Sequence, residues 1–456
     1  MRYRPFQSVL ASTVLVAAVS ALSMPARADF IYARLMPASG LEPNGASTAV
    51  DVSSDGRTVV FTSAARNWVA NDTYNGNRIV AHDLDSGLIE LVSVVPVGGT
   101  IRGETPAVSG DGRYVAFLTY ASSYGTGWQV LRKDRLTGAV ALASSNAAGQ
   151  AASNGTDDDT VSISADGRYV AIESASANLG VATGGWTELF VKDMQTGAVQ
   201  LVSIKADGLP STGECNFRAH ALSDDGRYAT FQCNQPVLVG AGYGQTYVRD
   251  LVTGTTELVS RSGASGASST ASTNRPAISP NGRFVTFQNR DYGGLGYANG
   301  VNGQGNSGVY LRDRQTSTTS AIPRPAAMPA ADYDLCFASA VSDIGSVLLE
   351  CGYLNGASRY SQVFLHVPGT AAPQMLSVTG AGQPGSQASG YSLAVNASGL
   401  SMAWESQAAN IAPGDSNGVS DIFVLVEESL LDDAIFRSGF DGEPARVSTT
   451  LQERIR

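Results

Sequence analysis

Along most of this chain, apolar residues fall at alternate positions in short runs, and a polar turn interrupts them at near-regular intervals. Seven of these turns read VSSDGRTVVF, VSGDGRYVAF, ISADGRYVAI, LSDDGRYATF, ISPNGRFVTF, VSDIGSVLLE and VNASGLSMAW. A period of two is that of a strand with one buried face, and Asp-Gly or Asn-Gly supplies the positive φ angles of a tight hairpin. The turn glycines Gly56, Gly112, Gly167, Gly226, Gly282, Gly345 and Gly399 lie 56, 55, 59, 56, 63 and 54 residues apart. A second pattern trails the first in RIVAHDLDSGLIELVS, VLRKDRLTGAVALAS, LFVKDMQTGAVQLVS and TYVRDLVTGTTELVS, each a strand, a turn and a strand. Asp83, Asp134, Asp193 and Asp250 are placed there to accept bonds from turn N–H groups, and Gly87, Gly138, Gly197 and Gly254 permit a left-handed residue.

Each unit therefore predicts four strands, two hairpins in series. Four-stranded units recurring at this spacing are propeller blades, because each sheet buries its faces only against its neighbours. The S-x-D-G-R-x-V-A-F and V-x-D-x-x-T-G patterns resemble TolB-type repeats, the WD-like β-propeller family of many exported bacterial proteins. The resemblance covers nearly all of the chain beyond residue 28 and weakens in the last two copies, where Ile344 and Ser398 replace the turn Asp or Asn. It implies an all-β, seven-bladed propeller of four-stranded antiparallel blades with protein–protein contacts near the cell envelope. It carries over no interface residue, because one fold hosts many activities.

The last copy holds only three strands, YSLAVNA, LSMAWES and SDIFVLV. The missing fourth stands at the other end, where FIYARLMPASGLEPNGASTAVDVSSDGR aligns with IELVSVVPVGGTIRGETPAVSGDGR. Residues 30–37 are expected to pair with residues 421–426, closing the ring and removing an open sheet edge. One propeller would then span 29–426.

Residues 1–28 read as a secretory signal peptide: Arg2 and Arg4, an apolar Ser8–Met24 stretch, and Ala26-Arg27-Ala28 before a cleavage at Asp29. The stretch is short and interrupted for a span, which needs about 20 apolar residues. No membrane insertion is expected after its removal. The formal charge is −10, and loss of three arginines with the leader takes it to −13. An acidic chain without a basic cluster argues against nucleic acid, and charged residues amount to only 15%. The tail, 427–456, carries an IFRSGFDG motif that resembles short tails of other exported bacterial proteins.

Cys215, Cys233, Cys336 and Cys351 permit three pairings. Each sequential pair brackets one hairpin, so Cys215–Cys233 and Cys336–Cys351 are expected as disulfides in an oxidising compartment. Of three histidines, His82 and His366 stand where other copies have Lys133, Lys192, Arg249 and Arg312, and read as exposed strand residues. His220 lies on an inner strand near the channel. Asp157, Asp158 and Asp159 begin the third inner strand, with Glu104, Arg275 and Asp334 at equivalent starts. These seven residues are the candidate ligand-binding set, since a funnel with convergent polar groups is the default site. Asp415, Asn417 and Asp421 space oxygen ligands as in the first half of a calcium loop, and Asn71, Asp72 and Asn75 form a looser version, so calcium is the one cofactor suggested. No H-E-x-x-H or phosphate loop occurs. The sequence thus favours a monomeric, non-catalytic binding or scaffolding propeller, periplasmic or secreted, for a protein, peptide or glycan partner. The alternative is a funnel-site polysaccharide lyase or hydrolase using carboxylates and His220.

Overall fold

The Ser-x-Asp-Gly-Arg hairpins fold through their own side chains. In a computed structural model of the chain, the residues described are 30–430, apart from 97–98, 158–160, 181–183, 219, 239–240, 264–265, 267, 270–271, 290–294, 296–307, 327–335 and 356–357, together with the backbone of 15–16 and 446–447. At Gly112, Ser109 Oγ donates to Asp111 at 2.9 Å and accepts the Tyr114 N–H at 2.8 Å, while Asp111 accepts the Arg113 N–H. Arg113 then forks onto both oxygens of Asp134, at 3.0 and 2.8 Å. The two sequence patterns are therefore one stitched unit. Arg168–Asp193, Arg227–Asp250 and Arg283–Asp313 repeat it.

Among the described residues seven antiparallel sheets of four or more strands follow, the blades. The first is Ser47–Val52, Thr58–Ser63, Arg78–Asp83 and Ile89–Leu91, and the second is Glu104–Val108, Tyr114–Thr119, Gln129–Asp134 and Val140–Leu142. The third to sixth begin at inner strands Ser162–Ile163, Cys215–Asn216, Thr273–Ile278 and Cys336–Val341. The seventh takes Ser389–Val395, Ser401–Ser406 and Asp421–Glu427 from the end of the chain and Phe30–Arg34 from its beginning. Phe30 faces Glu427 and Arg34 faces Phe423, and Leu35 N–H continues the ladder to Ile422 O at 2.8 Å. The ring is closed as the strand-short last copy predicts. Two-residue strands Leu15–Val16 and Arg446–Val447 pair along the outer edge of Phe30–Arg34.

Blade-to-blade packing supplies the core. Seven apolar clusters occur, one at each junction between neighbouring sheets. The junctions flanking the seventh blade hold the buried Trp404 and Trp68, with Tyr32 of the N-terminal strand 5.4 Å from Trp404. Between the central blades the aromatic residue after each turn Arg lies under that guanidinium and against the next turn glycine. A Cβ on Gly167 would come 2.2 Å from Tyr114, and one on Gly226 would come 2.2 Å from Tyr169. These glycines also sit at φ +69° and +67°, so two independent constraints exclude a side chain.

The residue after each turn serine builds a belt around the channel exit. Gly110 N–H reaches Ala165 O, Ala165 N–H reaches Asp224 O, Asp224 N–H reaches Pro280 O, Asp343 N–H reaches Ala397 O, and Ala397 N–H reaches Ser54 O. Asp55 N–H closes the gap to Gly110 O. Pro280 has no N–H, and there Asn281 N–H goes to the Asp343 carboxylate at 2.7 Å.

Both disulfides form as expected, Cys215–Cys233 and Cys336–Cys351. They join the first residue of an inner strand to its ladder partner on the second strand. Blades 1 and 7 fill the same two positions with hydrogen-bonded serines, Ser47–Ser63 at 2.9 Å and Ser389–Ser406 at 2.6 Å.

The reading of His82 and His366 as exposed is overturned: they are 1% and 7% exposed. Their position is roofed by the outer loop of the preceding blade. Lys133 there donates to Val94 O, and Lys192 to Ser145 O and Asn146 O. Burial pushes both histidines down to about 4, so they sit neutral in a position where other blades bury a capped cation.

Candidate functional site

The inner strands start on the same face as the loops between second and third strands, and among the described residues those of blades 1, 2, 5, 6 and 7 carry a bulge near that start. Register shifts interrupt the ladder after Thr48 and Asn274, and Ala49, Thr105 and Arg275 take left-handed φ values of 50°, 46° and 49°. The bulges turn successive side chains toward the mouth of the channel. They open a cavity of about 330 Å³, lined by Ala49, Arg218, Arg275, Ser339, Tyr391 and Glu405 among others. Below it the channel between the inner strands narrows to a space of about 40 Å³, lined by Asp51, Pro106, Ser162, His220, Asp224 and Ile278 among others. That is room for a few waters. Ser54 Oγ donates across the channel to Asp224 at 2.9 Å.

The mouth is electrostatically mixed. Arg275 reaches Glu350 of the next blade at 3.3 Å and lies 3.9 Å over the Phe337 ring. Burial pushes the Glu350 carboxyl up, and Arg275 partly restores it. Glu405 accepts the Ala49 N–H at 3.0 Å, clasping blade 7 to blade 1 at the bulge. Burial drives it up to about 7, aided by the charge of Glu350. Arg218 and Tyr391 are exposed, Tyr391 by 63%.

Of the described residues in the sequence-named ligand set, only Arg275 lines the mouth and only His220 lines the channel. Glu104 is taken up by Arg102 at 2.9 Å and by Asn77, and lines neither space. Asp157 is exposed, its N–H bonded to Glu173 O. Asp158, Asp159 and Asp334 lie outside the described residues. His220, at φ 61°, brings Nδ1 to 3.8 Å from Asp51 Oδ1 of the facing blade, beyond hydrogen-bond distance. Sequence reasoning missed Arg218, Tyr391 and Glu405. Tyr391 begins an inner strand exactly as Arg275 does, so the rule that singled out Arg275 reaches it once the seventh copy is aligned.

The calcium-like loop surrounds a cation that the chain supplies. Arg34, 1% exposed, places one guanidinium nitrogen 3.0 Å from Asp415, 3.1 Å from Asp421 and 3.0 Å from Glu42. Asn417 Nδ2 also donates to Asp421. The looser loop in blade 1 has the same solution, with Arg78 held by Asp72 at 3.0 Å and by the carbonyls of Ala65 and Tyr74. Among the described residues no three His, Cys, Asp or Glu side chains are grouped to share a metal ion, and no helix is long and apolar enough to cross a membrane.

No protein-family profile matches the sequence, and no curated protein matches it. Solved structures do. Oligogalacturonate lyase from Vibrio parahaemolyticus aligns over 92% of this chain and 98% of its own, at 12% identity and a TM-score of 0.54. The β-propeller domain of the Trilobed protease from Pyrococcus furiosus aligns over 86% and 97%, at 11% identity and a TM-score of 0.50. That domain has an open velcro topology, whereas Phe30–Arg34 closes the ring here. TolB from Acinetobacter baumannii aligns over 65% of this chain at 15% identity and a TM-score of 0.36, so the chain spans 64% of TolB, just under two thirds. At these identities the likeness is one of fold.

Proposed function

We propose that this seven-bladed, TolB-like propeller is a binding or scaffolding module of the periplasm or the secreted space, engaging a protein, peptide or glycan partner through the mouth of its funnel. The observation that carries the reading is the contrast between the mouth, about 330 Å³ with exposed Tyr391 and Arg218, and the channel beneath it, about 40 Å³. A ligand site is concave, with a few placed polar groups, and of these two spaces the mouth has that size. The two disulfides suit an oxidising compartment. The charge of −10 disfavours nucleic acid as the partner. With Arg34 and Arg78 already neutralising the acidic loops, the propeller works as a monomer without calcium.

The test is retention from an envelope extract by immobilised protein, with Tyr391→Ala as the funnel variant. A partner held by the wild type and lost by the variant is the expected result; equal retention by both removes the funnel from the binding reading. A second reading, a lyase or hydrolase, draws on the approach of His220 to Asp51. It requires turnover of a polysaccharide that disappears in His220→Asn. The narrowness of the channel at that pair weighs against it.

A further inference from the structure

We infer that the funnel mouth is a binding site for an acidic sugar, such as the uronate end of a glycan, with Arg275 and Arg218 receiving the carboxylate and Tyr391 receiving the ring. This deepens the binding reading above and rests on it.

Three features of the cavity support that ligand class. First, two guanidinium groups from neighbouring blades line one space in a chain whose charge is −10. A guanidinium offers planar paired donors that match a carboxylate. Arg275 is already oriented, stacked 3.9 Å over Phe337 and tethered to Glu350, so little side-chain entropy is lost when a ligand arrives. The Glu350 contact engages one guanidinium nitrogen, Nη1, of a group that carries five N–H donors.

Second, the remaining polar lining suits hydroxyl groups. Ser339 and Ser392 line the cavity, and Glu405 stands beside them with one oxygen engaged by Ala49 N–H. The Tyr391 ring, 63% exposed at the same cavity, offers an apolar face with a polar tip. Further exposed aromatics, Trp186 and Tyr243, stand in second-to-third-strand loops on the face from which the inner strands start.

Third, the cavity has a floor. The space below is about 40 Å³, and the Ser54–Asp224 bond crosses it. An extended peptide seeking the free edges of the inner strands cannot thread past this point. A compact ligand that ends in the mouth fits.

The experiment is calorimetric titration of the purified protein with galacturonate disaccharide, a neutral disaccharide of the same size, and a diglutamate peptide. The uronate is expected to bind at least tenfold tighter than either comparator, with Arg218→Gln and Tyr391→Ala each weakening it about fivefold or more. Both residues are exposed, so these variants fold; Arg275→Gln leaves Glu350 buried and unpaired and serves only as a third check. Equal affinity for neutral and acidic disaccharides overturns the carboxylate assignment. Tighter binding of the peptide overturns the sugar. Unchanged affinity in both exposed variants overturns the site. If the uronate does not bind while an envelope partner is still lost in Tyr391→Ala, the ligand class fails and the binding reading stands; if neither dependence is seen, both fail.

Discussion

Blades 3 and 7 place a carboxylate at the same position, the first residue of the third strand, and bury it completely: Glu188 and Asp421 are both 0% exposed. Blades 2 and 4 have Gln129 and Gln245 there, blade 6 has Gln362 at the matching register, opposite Cys351 as Gln245 is opposite Cys233, and they show what the position requires. Each amide oxygen accepts from a serine hydroxyl, Ser144, Ser260 or Ser377. Each amide nitrogen donates to backbone carbonyls of the loops above, such as Ala152, Tyr243 and Gly385. A carboxylate cannot donate. Blade 7 answers by importing the Arg34 guanidinium along with the N-terminal strand. Among the described residues no such cation reaches Glu188. Burial pushes Asp421 up to about 6 against the pull of Arg34, and pushes Glu188 up to about 8, with only the Ser203 hydroxyl opposing it. The same buried position is thus made tolerable in two ways: by a paired charge that ties the ring shut, or by retention of a proton that lets the acid imitate glutamine.

Removing the guanidinium should separate the two solutions most widely. Arg34→Leu keeps the strand apolar but strands Asp415, Asp421 and Glu42 around nothing. Breaking a buried ion pair by deleting one partner costs about 3–5 kcal/mol, and urea unfolding should show a loss of that order. The emptied loop then has the oxygen spacing of a cation site. Calcium should therefore raise the melting temperature of the variant and leave that of the wild type unchanged. Wild-type stability in Arg34→Leu without calcium would show that the strand pairing alone, not the clasp, holds the ring.

Glu188→Gln tests the other side. The folded carboxyl keeps its proton to about pH 8, whereas an unperturbed one gives it up near 4.5. Between those values the folded chain binds more protons than the unfolded chain, so its stability falls as pH rises, and the loss is complete above about pH 8. Stability of Glu188→Gln minus that of the wild type should grow by about 4 kcal/mol from pH 4.5 to pH 8.5, by the linkage between shifted pKa and free energy. Asp421 contributes equally to both proteins and cancels. A flat difference curve would mean that Glu188 is ionised and matched by a partner, and that blades 3 and 7 do not differ in kind.

The fold was legible because the repeat was. Period-two alternation and Asp-Gly turns specify blades, and the orphan strand at 30–37 with the strand-short last copy specifies the closure. Both disulfides followed from their placement around a hairpin. The site was less legible, for a physical reason. Side chains at an inner-strand start are aimed by bulges whose geometry no period reveals, so Arg275 reaches the mouth while Glu104 turns back to Arg102. Asp415 and Asp421 of the calcium-like loop face Arg34, 387 residues before Asp421, a partner that local spacing does not show. His82 and His366 misled because a strand residue opposite the core looks exposed until a neighbouring blade's loop is laid over it.

The smallest contrast lies in the packing of the two blades against their neighbours. Tyr169 of blade 3 presses its ring on Gly226, where a Cβ would come within 2.2 Å. A Cβ on Gly399 of blade 7 would meet Ser342 at 3.2 Å and Ile344 at 3.5 Å, with no ring against it. Both glycines are left-handed, at φ 67° and 76°. Alanine at Gly399 should therefore cost about 1 kcal/mol, the backbone strain alone. Alanine at Gly226 adds the displacement of a packed ring, for a total of about 2 kcal/mol by the usual penalty of overpacking. Removing that ring should erase the excess: in a Tyr169→Ala background, Gly226→Ala should cost no more than Gly399→Ala does in the wild type. An excess that survives the loss of Tyr169 would place the constraint in the turn itself, and blades 3 and 7 would then be held to their neighbours by the same means.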